Sequence, residues 1–226
     1  MPGDAFARLV LEELPQSARV GLTLGFVRTY GVPEIARVLH GSGELLTAPK
    51  ARAKATGATM FALIRHGVES AEGRALVARL REVHRRPGVD GELMAYVLGC
   101  FTVCPVAFVD AYGRRRATPA ERDGAFAFLD ALGAALELPS VGRDFAEVAR
   151  WMAEFERSRF GRSEAGQALW AATNGLLASR LPRPVRRLAP FVAAALLDAS
   201  LADALGVRRP PRPVRWLTGR ALGLLR

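Results

Sequence analysis

The sequence predicts an all-α fold, a single-domain helical bundle that spans residues 1–226. Three observations predict it. Apolar residues recur at helical spacing along the chain. Helix start signals precede several of these segments. No segment shows a sustained alternation of apolar and polar residues bounded by turn dipeptides, which is the pattern of strands. With 226 residues, 50% of them hydrophobic, the chain is long enough to bury a core without disulfides.

The clearest helix start is the segment Thr118-Pro119-Ala120-Glu121. Threonine is a good N-cap, proline suits the first helical position, and a glutamate three residues after the cap completes a capping box. Asp144 and Asp90 stand in the same way before apolar segments. We therefore expect helices to begin at these three places.

The longest uncharged run, LMAYVLGCFTVCPVAFV, extends over residues 93–109. It falls just short of the ~20 apolar residues that span a bilayer. Pro105 interrupts it, and Tyr96 and Thr102 make it less apolar. We expect a buried central helix rather than a membrane span.

Charge and cysteine content exclude several classes of protein. The net charge is +10, almost all of it from arginine, but no motif that reads a nucleic-acid groove accompanies it, so we expect no nucleic-acid partner. Cys100 and Cys104 are the only thiols, which excludes a disulfide framework and favours small buried side chains over a metal pair. The N-terminal segment lacks the layout of a secretory signal, and we expect a cytoplasmic protein.

The C-terminal segment, residues 213–226, mixes arginines with Val214, Trp216 and Leu217. Two interpretations remain open for it. It is a packed terminal helix, or it is a basic amphipathic surface that makes peripheral contact with a membrane or a partner.

His84 stands out because it continues an apolar stripe of helical spacing, four residues beyond Leu80 and seven beyond Val77. The spacing predicts that His84 points inward. Arginines that precede and follow it disfavour a charged imidazole, and a neutral imidazole is what a metal ligand requires. An ordinary core histidine explains the periodicity equally well, so the spacing alone leaves both interpretations open.

Arg52 and Thr56 lie four residues apart and share a helix face with Met60 and Leu63. A cation and a hydroxyl therefore enter an apolar stripe. The alternative is a solvated first helical turn. For His40 and His66, each followed by a glycine, we expect contacts with the carbonyls of a helix end.

Residues 28–56, 66–115, 118–139 and 181–211 form an ordered series that resembles the family of MpaB-type oxygenases and latex-clearing rubber oxygenases. The series includes RTYGVPEIARVLHGSGELLTAPKARAKAT, REVHRRPGVDGELMAYVLGCFTVCPVAF and TPAERDGAFAFLDALGAALELP. The resemblance covers nearly the whole chain. It rests on the order of the segments, since no short motif among them is specific by itself.

The resemblance implies an all-helical fold that encloses a b-type haem, with His84 as the proximal iron ligand. Arg81 matches the arginine that stands three residues before this ligand, and Arg52 and Thr56 match the family's distal Arg-x-x-x-Thr pair. Guanidinium groups fit the carboxylates of haem propionates. The candidates for that contact are Arg81, Arg85 and Arg86.

The function that the resemblance implies is a haem-dependent oxidoreductase. It would be an oxygenase that uses O2 on an apolar, isoprenoid or lipid-like substrate and inserts oxygen into a carbon–carbon double bond or cleaves it. A haem peroxidase-like enzyme, a non-catalytic haem or gas-binding protein and a helical scaffold without cofactor are the alternatives. The first two alternatives need the same proximal histidine, so the sequence leaves them open.

Overall fold

The structure is a computed structural model that describes residues 2–84, 90–179 and 189–223. Its α-helices follow one another in this order: α1 (Pro2–Arg8), α2 (Pro15–Arg28), α3 (Pro33–Gly41), α4 (Glu44–Thr47), α5 (Pro49–His66), α6 (Ala71–His84), α7 (Gly91–Tyr112), α8 (Pro119–Ala135), α9 (Phe145–Arg159), α10 (Glu164–Ser179), α11 (Ala189–Leu196), α12 (Ala199–Ala204) and α13 (Arg212–Gly223). A π-helical turn, Leu9–Glu13, follows α1, and a 3-10 turn, Thr29–Gly31, follows α2. These described ranges contain no strand, and the prediction of an all-α fold is confirmed.

The predicted helix starts are also confirmed. Thr118 and Glu121 form the reciprocal capping box at the start of α8. Asp90 accepts a hydrogen bond from the Leu93 N–H at the start of α7, and Asp144 caps α9 in the same way. Local side-chain chemistry was sufficient to locate these ends because each cap satisfies a backbone N–H group that the helix itself leaves free.

The predicted central helix is α7, whose buried residues include Tyr96, Cys100 and Thr102. Pro105 lies within this helix, which continues through it to Tyr112. Proline removes one backbone hydrogen bond, but buried residues on both sides of Pro105 hold the helix in line. Length and apolar composition would also allow α7 to cross a membrane, although 67% of its most apolar stretch is buried inside the protein.

Helix α2 packs against α7 more closely than side chains normally permit, through Gly21 and Gly25. A Cβ atom on Gly25 would lie 2.3 Å from the Cys100 carbonyl oxygen, and one on Gly21 would lie 2.6 Å from Pro105 Cα. Both obstacles are backbone atoms of α7. The two helices therefore touch backbone to backbone, and only glycine fits at these two positions.

A buried ion pair continues this contact at the end of α2. Arg28 Nε donates to Glu156 Oε1 of α9 at 2.6 Å, and its Nη1 donates to Asp198 Oδ2, at the start of α12, at 2.5 Å. The Tyr96 hydroxyl of α7 donates to Glu156 Oε1 at 3.0 Å. Burial would raise the pKa of Asp198, but the Arg28 guanidinium and the Leu201 N–H outweigh that effect and lower it. The network thus joins α2, α7, α9 and α12.

The glycine contact generates a stability prediction. Gly25→Ala should destabilise the protein by about 1–3 kcal/mol or more, because the added methyl group can be accommodated only if α2 and α7 move apart. Thermal and urea unfolding, followed by circular dichroism, measures the change.

Gly175→Ala is the matched control. Gly175 lies exposed in α10 with open space around its Cα, so alanine there should stabilise the helix by about 1 kcal/mol. Equal unfolding midpoints for the two variants would contradict the close approach of α2 and α7.

Candidate functional site

The first half of α5 carries a polar cluster built on Arg52. Its Nη1 donates to Thr56 Oγ1 at 2.5 Å, and its Nε lies 3.0 Å from Glu44 Oε2. The Arg52 side chain is 27% exposed and Thr56 is half-buried. The two residues share one helix face, as the sequence predicted, and the alternative of a freely solvated first turn is wrong because both side chains have partners.

Local structure explains how Glu44 reaches Arg52. Gly43 adopts a positive φ of 71°, which glycine tolerates, and this turn begins the short helix α4 with Glu44 in its first turn. Helix α4 contacts α5, so the Glu44 carboxylate lies beside the guanidinium. Sequence spacing did not identify this anion because Glu44 belongs to a different helix.

Tyr30 is a further residue of the site that sequence reasoning missed. It follows α2 and is completely buried, and its hydroxyl has no hydrogen-bond partner among the described residues. Burial raises the pKa of Tyr30, and its polar neighbours Thr173 of α10 and Arg52 partly oppose that effect. The phenol is therefore protonated at neutral pH and can donate a hydrogen bond.

His84 ends α6 with an exposed side chain, so the prediction that it points into the core is wrong. The buried residues of α6 are Gly73 and Val77, in its first half, whereas Val83 is 43% exposed. Helical periodicity identified the correct stripe, but neighbouring helices cover only the beginning of it. This finding concerns only the direction of the His84 side chain. The role of His84 as an iron ligand stays a prediction.

The His84 imidazole nevertheless has a defined hydrogen bond. Its Nδ1 lies 2.8 Å from the Leu80 carbonyl oxygen. A carbonyl can only accept, so Nδ1 donates its proton, and in the neutral ring Nε2 keeps a free lone pair. This is the arrangement that orients a histidine toward a metal.

The predicted propionate ligands are only partly described. Arg81 Nε donates to the Ala135 carbonyl at 2.8 Å, and its Nη2 lies 3.0 Å from Glu137 Oε1, so Arg81 joins the end of α6 to the end of α8. Arg85 and Arg86 lie outside the described residues.

Helices α5 and α6 form one helical hairpin. They contact each other and are joined by the four residues 67–70. Arg52 in α5 and His84 in α6 both lie on the order of 20 Å from that connection, at a rise of about 1.5 Å per residue. The predicted distal pair and the predicted ligand thus each lie toward the end of their helix that is far from this connection.

The other histidines lie at helix ends, and both thiols lie in α7. His66 is exposed at the end of α5, and His40 lies in the last turn of α3. Cys100 is buried, and burial raises the pKa of its thiol. In the described ranges, no three or more His, Cys, Asp or Glu side chains are grouped so that they could hold a metal ion together.

Comparison with known proteins identifies relatives of this chain. Residues 16–226 match the family described as "ER-bound oxygenase mpaB/B'/Rubber oxygenase, catalytic domain". The chain is 29% identical over 141 residues to the ER-bound oxygenase mpaB of Penicillium roqueforti (strain FM164), and the alignment covers 57% of this chain and 47% of the relative. The chain thus spans about half the length of this curated relative.

The buried Tyr30 hydroxyl has no hydrogen-bond partner among the described residues, so we predict that its removal increases stability. Tyr30→Phe should stabilise the protein, because a buried hydroxyl without a partner costs about 1–3 kcal/mol. Tyr96→Phe is the matched control, since it removes an equally buried hydroxyl that donates to Glu156, and it should destabilise. Thermal unfolding compares the two variants. A loss of stability in Tyr30→Phe as large as that in Tyr96→Phe would mean that the Tyr30 hydroxyl has a partner after all.

Proposed function

The chain belongs to the mpaB and rubber oxygenase family, and from this we propose that it is a haem-dependent oxygenase that acts on an apolar substrate with O2. The proposal extends to a b-type haem as cofactor and to an isoprenoid or lipid-like substrate whose double bond is cleaved. The observation that carries it is the His84 imidazole, held through Nδ1 with Nε2 available, in a chain that matches this family from residue 16 to residue 226.

The residues present fit a haem. One axial nitrogen is sufficient for a b-type haem, and the free Nε2 of His84 has the correct donor chemistry. The exposed position of His84, at the end of α6, leaves its ring accessible to a large planar ligand. When bound, haem would supply the redox chemistry with O2 that amino-acid side chains cannot perform.

The Arg52 cluster would serve the opposite side of such a site. Arg52 retains Nη2 for a further acceptor while Glu44 and Thr56 hold the rest of the guanidinium in place. A guanidinium fixed in this way stabilises negative charge without reorganising during the reaction. Glu44 is itself an anionic partner of Arg52.

The arrangement of the site residues and the cellular location of the protein are also part of the proposal. The hairpin of α5 and α6 carries both Arg52 and His84, and Tyr30 adds a protonated phenol that the charge of Arg52 influences. The cytoplasmic location stays a prediction.

The first test concerns the cofactor. Protein expressed with adequate haem should show a Soret band and bind about one haem per chain, and His84→Ala should lose the haem while keeping its far-ultraviolet circular dichroism. Since the His84 ring is exposed, its removal should not unfold α6. Added imidazole should restore the Soret band of a His84→Gly variant.

His66→Ala and His40→Ala are the matched controls, and both should retain haem. Loss of haem in either of them, with normal content in His84→Ala, would transfer the ligand role to that residue. A wild-type protein that stays colourless after incubation with hemin would exclude a haem enzyme.

The second test concerns the predicted distal pair, Arg52 and Thr56. Arg52→Ala and Thr56→Ala should each retain haem and lower turnover on the order of a hundredfold, because both remove a fixed donor. Lys54→Ala is the matched control: it removes a cation from the same helix at an exposed position and should leave turnover unchanged. Oxygen consumption with polyisoprenoid substrates measures the effect.

The same variants distinguish the alternatives. Loss of haem from Arg52→Ala would show that Arg52 binds a propionate instead. Turnover that requires hydrogen peroxide and ignores O2 would identify a peroxidase. Reversible gas binding without turnover of any substrate would identify a gas-binding protein.

A further inference from the structure

Helix α13 presents a large apolar surface outward through Trp216 and Leu217. Trp216 is 60% exposed and Leu217 is 59% exposed, whereas the buried or half-buried positions are Arg215, Thr218 and Gly219. A Cβ atom on Gly219 would lie 3.2 Å from Tyr112 Cε1, so this polar face packs on the end of α7. A helix on the surface of a globular protein normally turns its apolar stripe toward the core, and α13 does the reverse.

The arginines around this helix have no acidic partner. None of the five arginines from Arg208 to Arg220 makes an ion pair within the described part of the chain, and no acidic side chain follows Asp203 in the sequence. The Nε atoms of Arg209 and Arg215 are buried without a hydrogen-bond acceptor. Neither guanidinium group therefore has an acidic partner in the described ranges, and each has one buried N–H donor that no acceptor satisfies, which is costly. An external anion at the remaining nitrogens would offset this charge.

These features form one continuous surface with α11. Phe191 of α11 is 62% exposed, and α11 contacts α13. A cavity of about 670 Å³ lies between them, lined by Trp170, Phe191, Val207, Arg209 and Val214 among others. We call Phe191, Trp216, Leu217 and the five arginines the basic apolar face.

We propose that the basic apolar face docks the protein onto a membrane that contains anionic phospholipid. Arg209 and Arg215 bind lipid phosphate, while Trp216, Leu217 and Phe191 enter the boundary between headgroups and acyl chains. Such a combination of arginines with exposed aromatic and leucine side chains is typical of helices that lie in the membrane interface. The proposal does not depend on the proposed oxygenase function.

Charge distinguishes a membrane from other occupants. A second copy of the chain would bring the same cationic surface opposite this one, and the paired arginines would repel each other. A nucleic acid would bind the arginines but would leave the leucine and phenylalanine side chains in water. An anionic bilayer satisfies both components of the surface.

The test is flotation of the purified full chain with vesicles, both of phosphatidylcholine alone and of equal parts phosphatidylcholine and phosphatidylglycerol. We expect binding to the mixed vesicles and little to phosphatidylcholine alone. Raising the salt to about 1 M should weaken binding, because it shortens the Debye length to about 3 Å.

Variants separate the two components of the surface. Arg209→Gln and Arg215→Gln should each weaken binding about fivefold, and Leu217→Glu should abolish it. Two controls match them. Arg65→Gln removes an exposed arginine from α5, and Leu46→Glu places the same charge at an exposed leucine of α4. Both controls should bind as the wild type does, and circular dichroism confirms the fold of every variant.

Four results would overturn the proposal. They are no flotation with mixed vesicles, equal flotation with phosphatidylcholine alone, equal weakening in the control variants, and flotation unchanged by Leu217→Glu. Dimerisation or nucleic-acid binding that is lost in these variants, without flotation, would assign the face to that partner instead. Haem content and turnover are measured separately, so a failure here does not affect the oxygenase proposal.

Discussion

Gly21 and Gly25 allow the backbone of α2 to lie directly against that of α7, and the position of the candidate site follows from this contact. The Phe26 ring of α2 stacks with Phe101 of α7, and its other neighbour is Tyr30, at 5.7 Å between ring centroids. Burial raises the pKa of Tyr30, and the charge of Arg52 in α5 opposes part of that rise. A displacement of α2 would therefore change the polar cluster without touching any of its residues.

The buried ion pair between α2 and α9 also holds helices together. Arg28 and Glu156 neutralise each other between α2 and α9, and the Tyr96 hydroxyl donates a second hydrogen bond to Glu156 Oε1, which also accepts from Arg28 Nε. Breaking such a pair costs more than its formation contributes, because one charge would remain buried alone. Arg209 and Arg215 show the opposite situation. Their charge finds no partner within the described residues, which is why that surface suggests an external ligand.

The candidate site and the basic apolar face are consistent with one type of substrate. An apolar substrate of an oxygenase dissolves in a bilayer far better than in water. A protein docked on the membrane through α13 would meet such a substrate where it is concentrated. Helix α7 connects the two regions, since Tyr112 at its end supports Gly219 of α13 and its middle supports α2.

The sequence by itself determined the helical class, the capped starts of α7, α8 and α9, and the pairing of Arg52 with Thr56, because each depends on residues within about four positions of one another. The tertiary structure decided the rest. Periodicity predicts which residues share a face, but neighbouring helices determine whether that face is covered. Therefore His84 is exposed, α7 continues through Pro105, Tyr30 is buried without a partner, and α13 turns its tryptophan outward.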